Sequence, residues 1–396
     1  MTPTSGDGMI ATMTKDQFPS VPAIRTASSD LDDPVAAIEA VMARLDPPSL
    51  TGMMLFCSSR YDLDRVAAAI AERSQWLTVI GCTSSGEIAP QGMVEGTITA
   101  IGFPAANFTM RALRFDDLDR FDPVSAQQVV RELVAETADT AQRCGHDRGR
   151  AAIFLVDGLS HREEMLTVTV QDALGDIPLI GGSSGDGLDF KQTFVFHDGA
   201  FRRDAALLAV LCSRRPMHVF RSQHYAPGGV RMVVTGANPD QRIVTEINAE
   251  PAAAEYARLI GVGAHELTPE LFALHPPMVR AGGEYYCRSI QSANPDGSLT
   301  FYGAIDEGIV LTLGEVRNVL AGLRELFDRL DHQVGGLDSV IGFDCVLNSV
   351  ALTTQQIRHD VSALFAERRV VGFNTYGEQF HALHVNQSFS GIVIGA

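Results

Sequence analysis

Two histidines close the stretch of this chain with the densest concentration of reactive groups. From Val370 the sequence runs Val-Val-Gly-Phe-Asn-Thr-Tyr-Gly-Glu-Gln-Phe-His-Ala-Leu-His384 and continues to Phe389. It opens as an apolar strand, breaks at Gly372, and crosses a turn carrying Asn374, Thr375, Tyr376 and Glu378 before it delivers His381 and His384. An apolar strand entering a Gly-punctuated polar turn is how folds display side chains at the end of a sheet. On a helix the two histidines would share a face; on a strand positions i and i+3 point to opposite faces, and only one would look into a pocket. One imidazole in an apolar cavity suffices to hold haem, whereas zinc needs further ligands that do not lie nearby in sequence. His384, close in sequence to Phe380 and Phe389, is the first candidate ligand. His224, just ahead of a Pro-Gly-Gly turn, is the second.

Other chemistry is present in outline. Arg280, Arg288 and Glu378 flank glycine or aromatic residues, and arginine is suited to bidentate recognition of a carboxylate. Cys82, Ser84, Ser184 and Cys345 sit near turns, but no Gly-x-Ser-x-Gly elbow accompanies them. The glycine-rich turns at 81–86 and 181–185 follow strands as phosphate loops do, yet they lack both the Lys-Ser/Thr of a P-loop and the Gly-x-Gly-x-x-Gly of a dinucleotide fold.

The elements that must position these groups repeat. The turn Val79-Ile-Gly-Cys-Thr-Ser-Ser-Gly-Glu87 and the turn Leu179-Ile-Gly-Gly-Ser-Ser-Gly-Asp186 follow the same plan as Val370 to Glu378, the middle copy being one residue shorter. Each is preceded by an apolar strand (53–57, 152–156, 340–344) and a helix (62–72, 162–174, 354–366), and each is followed by a strand (96–102, 205–211, 389–394). The predicted fold is therefore α/β (α+β), with repeated strand–helix–strand–strand units forming two helix-covered, mainly antiparallel sheets. Between the second and third copies the texture changes: strand-like alternation over 217–234, a Pro-started helix at 252–259, and the hairpin signal Asn294-Pro-Asp-Gly297. A helix over 316–330 leads into the last copy. The expected division is a flexible tail at 1–24, a domain at 25–214 and a domain at 215–396.

The net charge of -17, without a basic run, argues against nucleic acid and against anionic membrane surfaces. No apolar run approaches the ~20 residues that span a bilayer. The first twenty residues hold one lysine and no apolar core of a signal peptide, so none is expected. Six cysteines without short spacing fit reduced thiols in a cytoplasm.

At these turns the chain resembles the FIST sensory family from about residue 25 to residue 394. The resemblance rests on Phe56-Cys-Ser-Ser, the 79–87 and 179–186 turns, Glu246-Ile-Asn-Ala-Glu-Pro-Ala, Tyr286-Cys-Arg-Ser-Ile, Asn294-Pro-Asp-Gly-Ser-Leu, Asp306-Glu-Gly and Val371-Gly-Phe-Asn-Thr-Tyr-Gly-Glu. The two expected domains would then be the FIST N-terminal and C-terminal domains. Tyr376-Gly-Glu-Gln and His384-Val-Asn-Gln-Ser-Phe are similar to the stand-alone nitric-oxide-sensing members. That resemblance implies a non-enzymatic haem b protein that binds a diatomic gas. Such a protein acts in trans on a sensor histidine kinase or a diguanylate cyclase/phosphodiesterase; a homodimer is compatible with it. His384 would be the iron ligand, with His224, Phe380, Phe389, Tyr376, Arg288, Asn374 and Glu378 as the remaining cofactor-site candidates. Other members are thought to bind amino acids or small carboxylates, for which Arg288 and the polar turn would serve. A hydrolase using Cys82 or Cys345 is a further alternative. The chain departs from the family after Asp344-Cys345, where Asn348-Ser349 stand in place of a basic residue.

Overall fold

The computed structural model describes residues 22–396, so the tail expected at 1–24 falls almost wholly outside the described residues. Within them one unit is built three times. The first copy runs from the edge strand Arg25–Ser29 through helix α1 (Pro34–Leu45), strand Leu50–Ser58, helix α2 (Leu63–Ser74) and strand Thr78–Ser84. A hairpin (Glu87–Ala89, Gly92–Val94) and the return strand Ile98–Pro104 complete it. The second copy has edge strand Phe108–Asp116, α3 (Pro123–Cys144), Gly149–Val156, α4 (Glu163–Leu174), Leu179–Ser183, a hairpin (Val195–His197, Ala200–Arg202) and Ala205–Ser213. The third begins with Met217–Gln223 and is then interrupted by an insert of eight strands and the helices α5 (Ala252–Ile260) and α6 (Pro269–Leu274). It resumes with α7 (Val319–Val334), Leu337–Cys345, α8 (Val346–Thr354), α9 (Arg358–Glu367), Val370–Thr375, a hairpin (Glu378–Phe380, Leu383–Val385) and Ser388–Gly395.

In every copy the two central strands run parallel and, among the described residues, all other pairings are antiparallel. Gly81, Gly181 and Gly372 occupy the same place in the three copies. A Cβ there would collide with the carbonyl oxygen of Leu55, Phe154 or Gly342 on the parallel partner, which is why the turn sequence keeps glycine at that point.

The hairpins are exchanged in a ring. The first hairpin pairs with Val370–Thr375 of the third copy, the second with Thr78–Ser84 of the first, and the third with Leu179–Ser183 of the second. Backbone bonds knot the three turns together: Ser85 N to Asn374 O (3.0 Å), Ser183 N to Gly377 O (2.8 Å) and Gly185 N to Thr83 O (3.1 Å). Inner faces of all three sheets meet in one apolar centre, where Phe56 stacks on Phe373 with centroids 4.5 Å apart. The outer faces are covered by α1 and α2, by α3 and α4, and by α7 with α9. None of the helices described is long and apolar enough to cross a membrane.

The α/β class with repeated units is thus what the chain adopts. The sheets number four among the described residues instead of the expected two, because each copy builds its own six-stranded sheet and the insert adds a fourth. The helix expected over 354–366 is α9, which starts only at Arg358; a separate α8 ends at Thr354, and Gln356 between them takes a left-handed φ of 59°.

Candidate ligand site at the third hairpin

Each hairpin presents one cross-strand pair to the helix layer that covers it. In the first copy the pair is Ile88 and Met93, packed in the cluster of α7 and α9. In the second it is Phe196 and Phe201, rings 4.8 Å apart, packed beneath α1 and α2. At the same place the third hairpin carries Gln379 and His384. Position and backbone are conserved within the molecule while the chemistry switches from apolar to polar.

His384 is 3% exposed, and Gln379 is fully buried. Gln379 Nε2 bonds Ser183 Oγ at 2.9 Å and lies 3.3 Å from His384 Nδ1. Three buried polar atoms here have no partner: Gln379 Oε1, His384 Nε2 and Asn386 Nδ2. Two of them face one point, since a methyl placed on Gly377 would sit 2.9 Å from His384 Nε2 and 2.8 Å from Asn386 Nδ2. Buried polar atoms left unbonded cost on the order of 1–3 kcal/mol each, so this is a place built to receive hydrogen bonds from elsewhere.

The far wall comes from α4 and the insert. Glu163 and Glu164 stand in the first turn of α4, where the helix dipole favours acids. Arg242 of the insert donates to both carboxylates, to Glu164 at 2.9 Å, and also to Tyr302 O. Ala304 N donates to Glu164 Oε1 at 3.0 Å. Burial works against ionisation of Glu164, but His384, Arg242 and that amide hold its carboxyl down at about 2. Burial also lowers the His384 imidazole, against the pull of Glu164 and Glu163, so the ring is neutral near pH 7. Gln379 then sets the tautomer. With its NH2 toward Nδ1, the proton rides on Nε2, which becomes a donor; with the amide turned over, Nε2 becomes an acceptor.

Arg288 borders the same space. Its Nη1 donates to His384 O at 2.9 Å, and among the described residues no carboxylate forms an ion pair with it. Burial lowers its pKa, against the pull of Glu164.

The other sequence candidates are placed differently. Tyr376 donates to Asp186 and packs on Phe190 at 4.8 Å, tying the third turn to the second. Asn374 is engaged with the first turn and with Asp344. Glu378 accepts from Thr375 Oγ1 and from Ser388 N (3.2 Å) and Oγ (2.7 Å). Glu87 repeats that latch with Ser84 and Thr97, so the acid closing the turn is structural in both copies. Burial pushes Glu378 up to about 8 and Asp344 up to about 7. Asn348 Nδ2, where a basic residue was expected, donates to Asp344 at 2.8 Å. Phe380 belongs to the neighbouring cross-strand pair and points to the opposite face from His384, toward the central core. Phe389 lies under α7 and α9, stacked on Phe365. Neither aromatic therefore neighbours the imidazole. His224 joins the edge strand of the third copy to the insert, takes no part in these bonds, and is lowered to about 4 by burial. Cys82 and Cys345 are buried, and burial raises both thiols well above their ordinary range, away from the thiolate a nucleophile needs.

One element of a haem site is present, a buried neutral imidazole with a free Nε2. The surroundings do not fit the macrocycle: Nε2 is seated against Gly377 and Asn386, with ionised Glu164 and Arg242 close by, where a porphyrin needs an apolar slot. Among the described residues no three His, Cys, Asp or Glu side chains gather as a metal site. Sequence reasoning missed Gln379, Asn386, Glu164 and Arg242. Aligning the three hairpins would have shown the first of these as the polar outlier.

A pseudo-threefold α/β scaffold thus carries one polar hairpin pair where the other two copies carry apolar ones. Residues 52–250 match the FIST N domain and residues 252–381 the FIST C domain. The chain belongs to the FIST family, whose domains are the sensory domains of signal-transduction proteins. It is also 18% identical over 383 residues to an uncharacterised protein of Methanocaldococcus jannaschii, an alignment covering 86% of this chain and 73% of that protein.

Proposed function

We propose that this chain senses a small carboxylate bound at the third hairpin. The carrying observation is the set of three buried, unpartnered polar atoms, Gln379 Oε1, His384 Nε2 and Asn386 Nδ2, the last two facing one point, where the other two hairpins bury hydrocarbon. The Nε2 proton, the Asn386 amide and the Arg288 guanidinium offer donors to a carboxylate. Gln379 Oε1 and Glu164 offer acceptors to an ammonium group, so amino acids are the first ligands to try. The reading is one of binding, carried by the hydrogen-bonding groups gathered at the hairpin. A ligand there would touch the second copy, the third copy and the insert at once, because Arg288 and Arg242 both come from the insert. It would thereby bias how the insert sits on the core, and a partner in the cytoplasm would read that bias. The association of FIST domains with kinases and cyclases supports a histidine kinase or a cyclic-di-GMP enzyme as that partner.

Thermal-shift screening of amino acids and small carboxylates, followed by calorimetric titration of hits, tests the reading. Wild type should bind at least one, and His384→Ala and Arg288→Met should each weaken binding by about 10-fold or more. Hemin is titrated in parallel. A stoichiometric Soret band that vanishes in His384→Ala, with no carboxylate hit, would replace this proposal by the haem sensor.

A further inference from the structure

A cleft of about 360 Å³ lies at the seam between the first and third copies, lined by the apolar Ile24, Val371 and Pro90 and by Arg25, Arg44 and Arg369. Ile24 and Val371 belong to the central core, so the apolar lining reaches the interior of the molecule. Among the described residues no aspartate or glutamate lines the cleft. That is notable in a chain with 48 acids against 31 lysines and arginines.

The three arginines differ in how they are paired. Arg25 is fixed by Asp46 (2.8 Å) and by Leu45 O (2.9 Å). Arg369 Nη1 donates to Asp338 O at 3.4 Å and stands 3.7 Å from the Asp338 carboxylate. Among the described residues Arg44 has no ion-pair partner and no side-chain hydrogen bond. Its position in the last turn of α1 explains a cation by the helix dipole alone, but not the company of the other two. Arg369 also holds a left-handed φ of 52°, a conformation glycine or asparagine would take at lower cost. The chain thus keeps arginine at a strained position on the rim of a cleft that already has two.

From this geometry we infer that the cleft binds an organic anion with an apolar body: a carboxylate or phosphate head among the three guanidiniums and a short hydrocarbon tail on Ile24 and Val371. The volume stands near the lower end of the roughly 300–1,000 Å³ typical of small-molecule sites, which suits a tail of medium length. Arginine forks match either head group.

Titration calorimetry of the full chain with octanoate, 1-octanol and acetate as probes tests this. Octanoate should bind at least about 10-fold more tightly than either probe that lacks one half of the match. Arg44→Gln and Arg369→Gln should each weaken it about 10-fold. Methyl NMR should show Ile24 and Val371 shifting on titration. Arg44 lies on the helix surface, so Arg44→Gln remains decisive even if Arg369→Gln perturbs folding. Equal affinity for 1-octanol, no loss in Arg44→Gln, or no octanoate binding would overturn the inference. Because the site is remote from the hairpin chamber, His384→Ala should leave octanoate affinity unchanged; a parallel loss would place octanoate in that chamber and overturn this site alone.

Discussion

The third hairpin and its two counterparts have the same backbone and the same place in a sheet, yet they bury opposite chemistries. Ile88 with Met93 and Phe196 with Phe201 are glue between a borrowed hairpin and the helices above it. Gln379 with His384 cannot be glue in that sense, because three polar atoms around them go unbonded. Within one chain the first two copies therefore serve as internal controls for the third. What the scaffold requires is what all three share: the glycine that admits the parallel strand and the knotted turns. What the proposed ligand would require is what only the third has.

The comparison can be broken most forcefully from the second hairpin. Phe196→Gln with Phe201→His transplants the polar pair beneath α1 and α2, where no ion network awaits it. Urea denaturation should report a loss of about 4 kcal/mol or more, from lost packing plus unbonded polar atoms. A near-neutral result would mean that the apolar pair is not what holds the hairpin. Next comes the converse: Gln379→Phe with His384→Phe should abolish the ligand response, at least about 100-fold in affinity, while the fold survives. Retained binding would move the ligand elsewhere. A charge test of similar scale concerns the insert. Arg242→Met leaves the buried Glu163 and Glu164 without their cation and should cost about 3–5 kcal/mol, read as a shifted denaturation midpoint.

The smallest effect distinguishes the latches. Glu378 is raised from its ordinary 4.5 to about 8, and Asp344 from 3.8 to about 7, both by burial. The folded chain therefore keeps protons that the unfolded chain gives up between about pH 4 and pH 8. Stability should fall as pH rises through that window and level off above it. Glu378→Gln should flatten that fall. Glu87→Gln should flatten it less, because the position matching Asp344 in the first copy is Cys57, which adds no second acid. Equal flattening by the two variants would deny the role of Asp344.

Much of the scaffold is readable in the sequence because repeated turns are strong signals. The strand–helix–strand order of the three copies and α1 at residues 34–45 follow from apolar periodicity alone. The helix α3 does not: its buried stripe is Ala126, Val130, Leu133, Thr137 and Ala141, small residues that barely mark a face. The hairpins escaped for a different reason. Their strands are three residues long, too short for alternation to show, and their partners lie in another copy. His384 was legible as a chemical group at a turn. Its companions were not, because Glu164 and Arg242 are brought in from α4 and the insert by the fold itself.

The ring of exchanged hairpins also governs how the chain can come together. The first sheet waits for residues 195–202, the second for 378–385, and the third for its own closing strand at 388–395. During synthesis the strand Leu179–Ser183 stands as a bare edge until almost the whole chain has emerged, and a bare edge is a template for wrong partners. Cutting the chain anywhere between the copies leaves at least one sheet open, so the three repeats are bound into a single cooperative event although each looks, in isolation, like a unit that could stand alone.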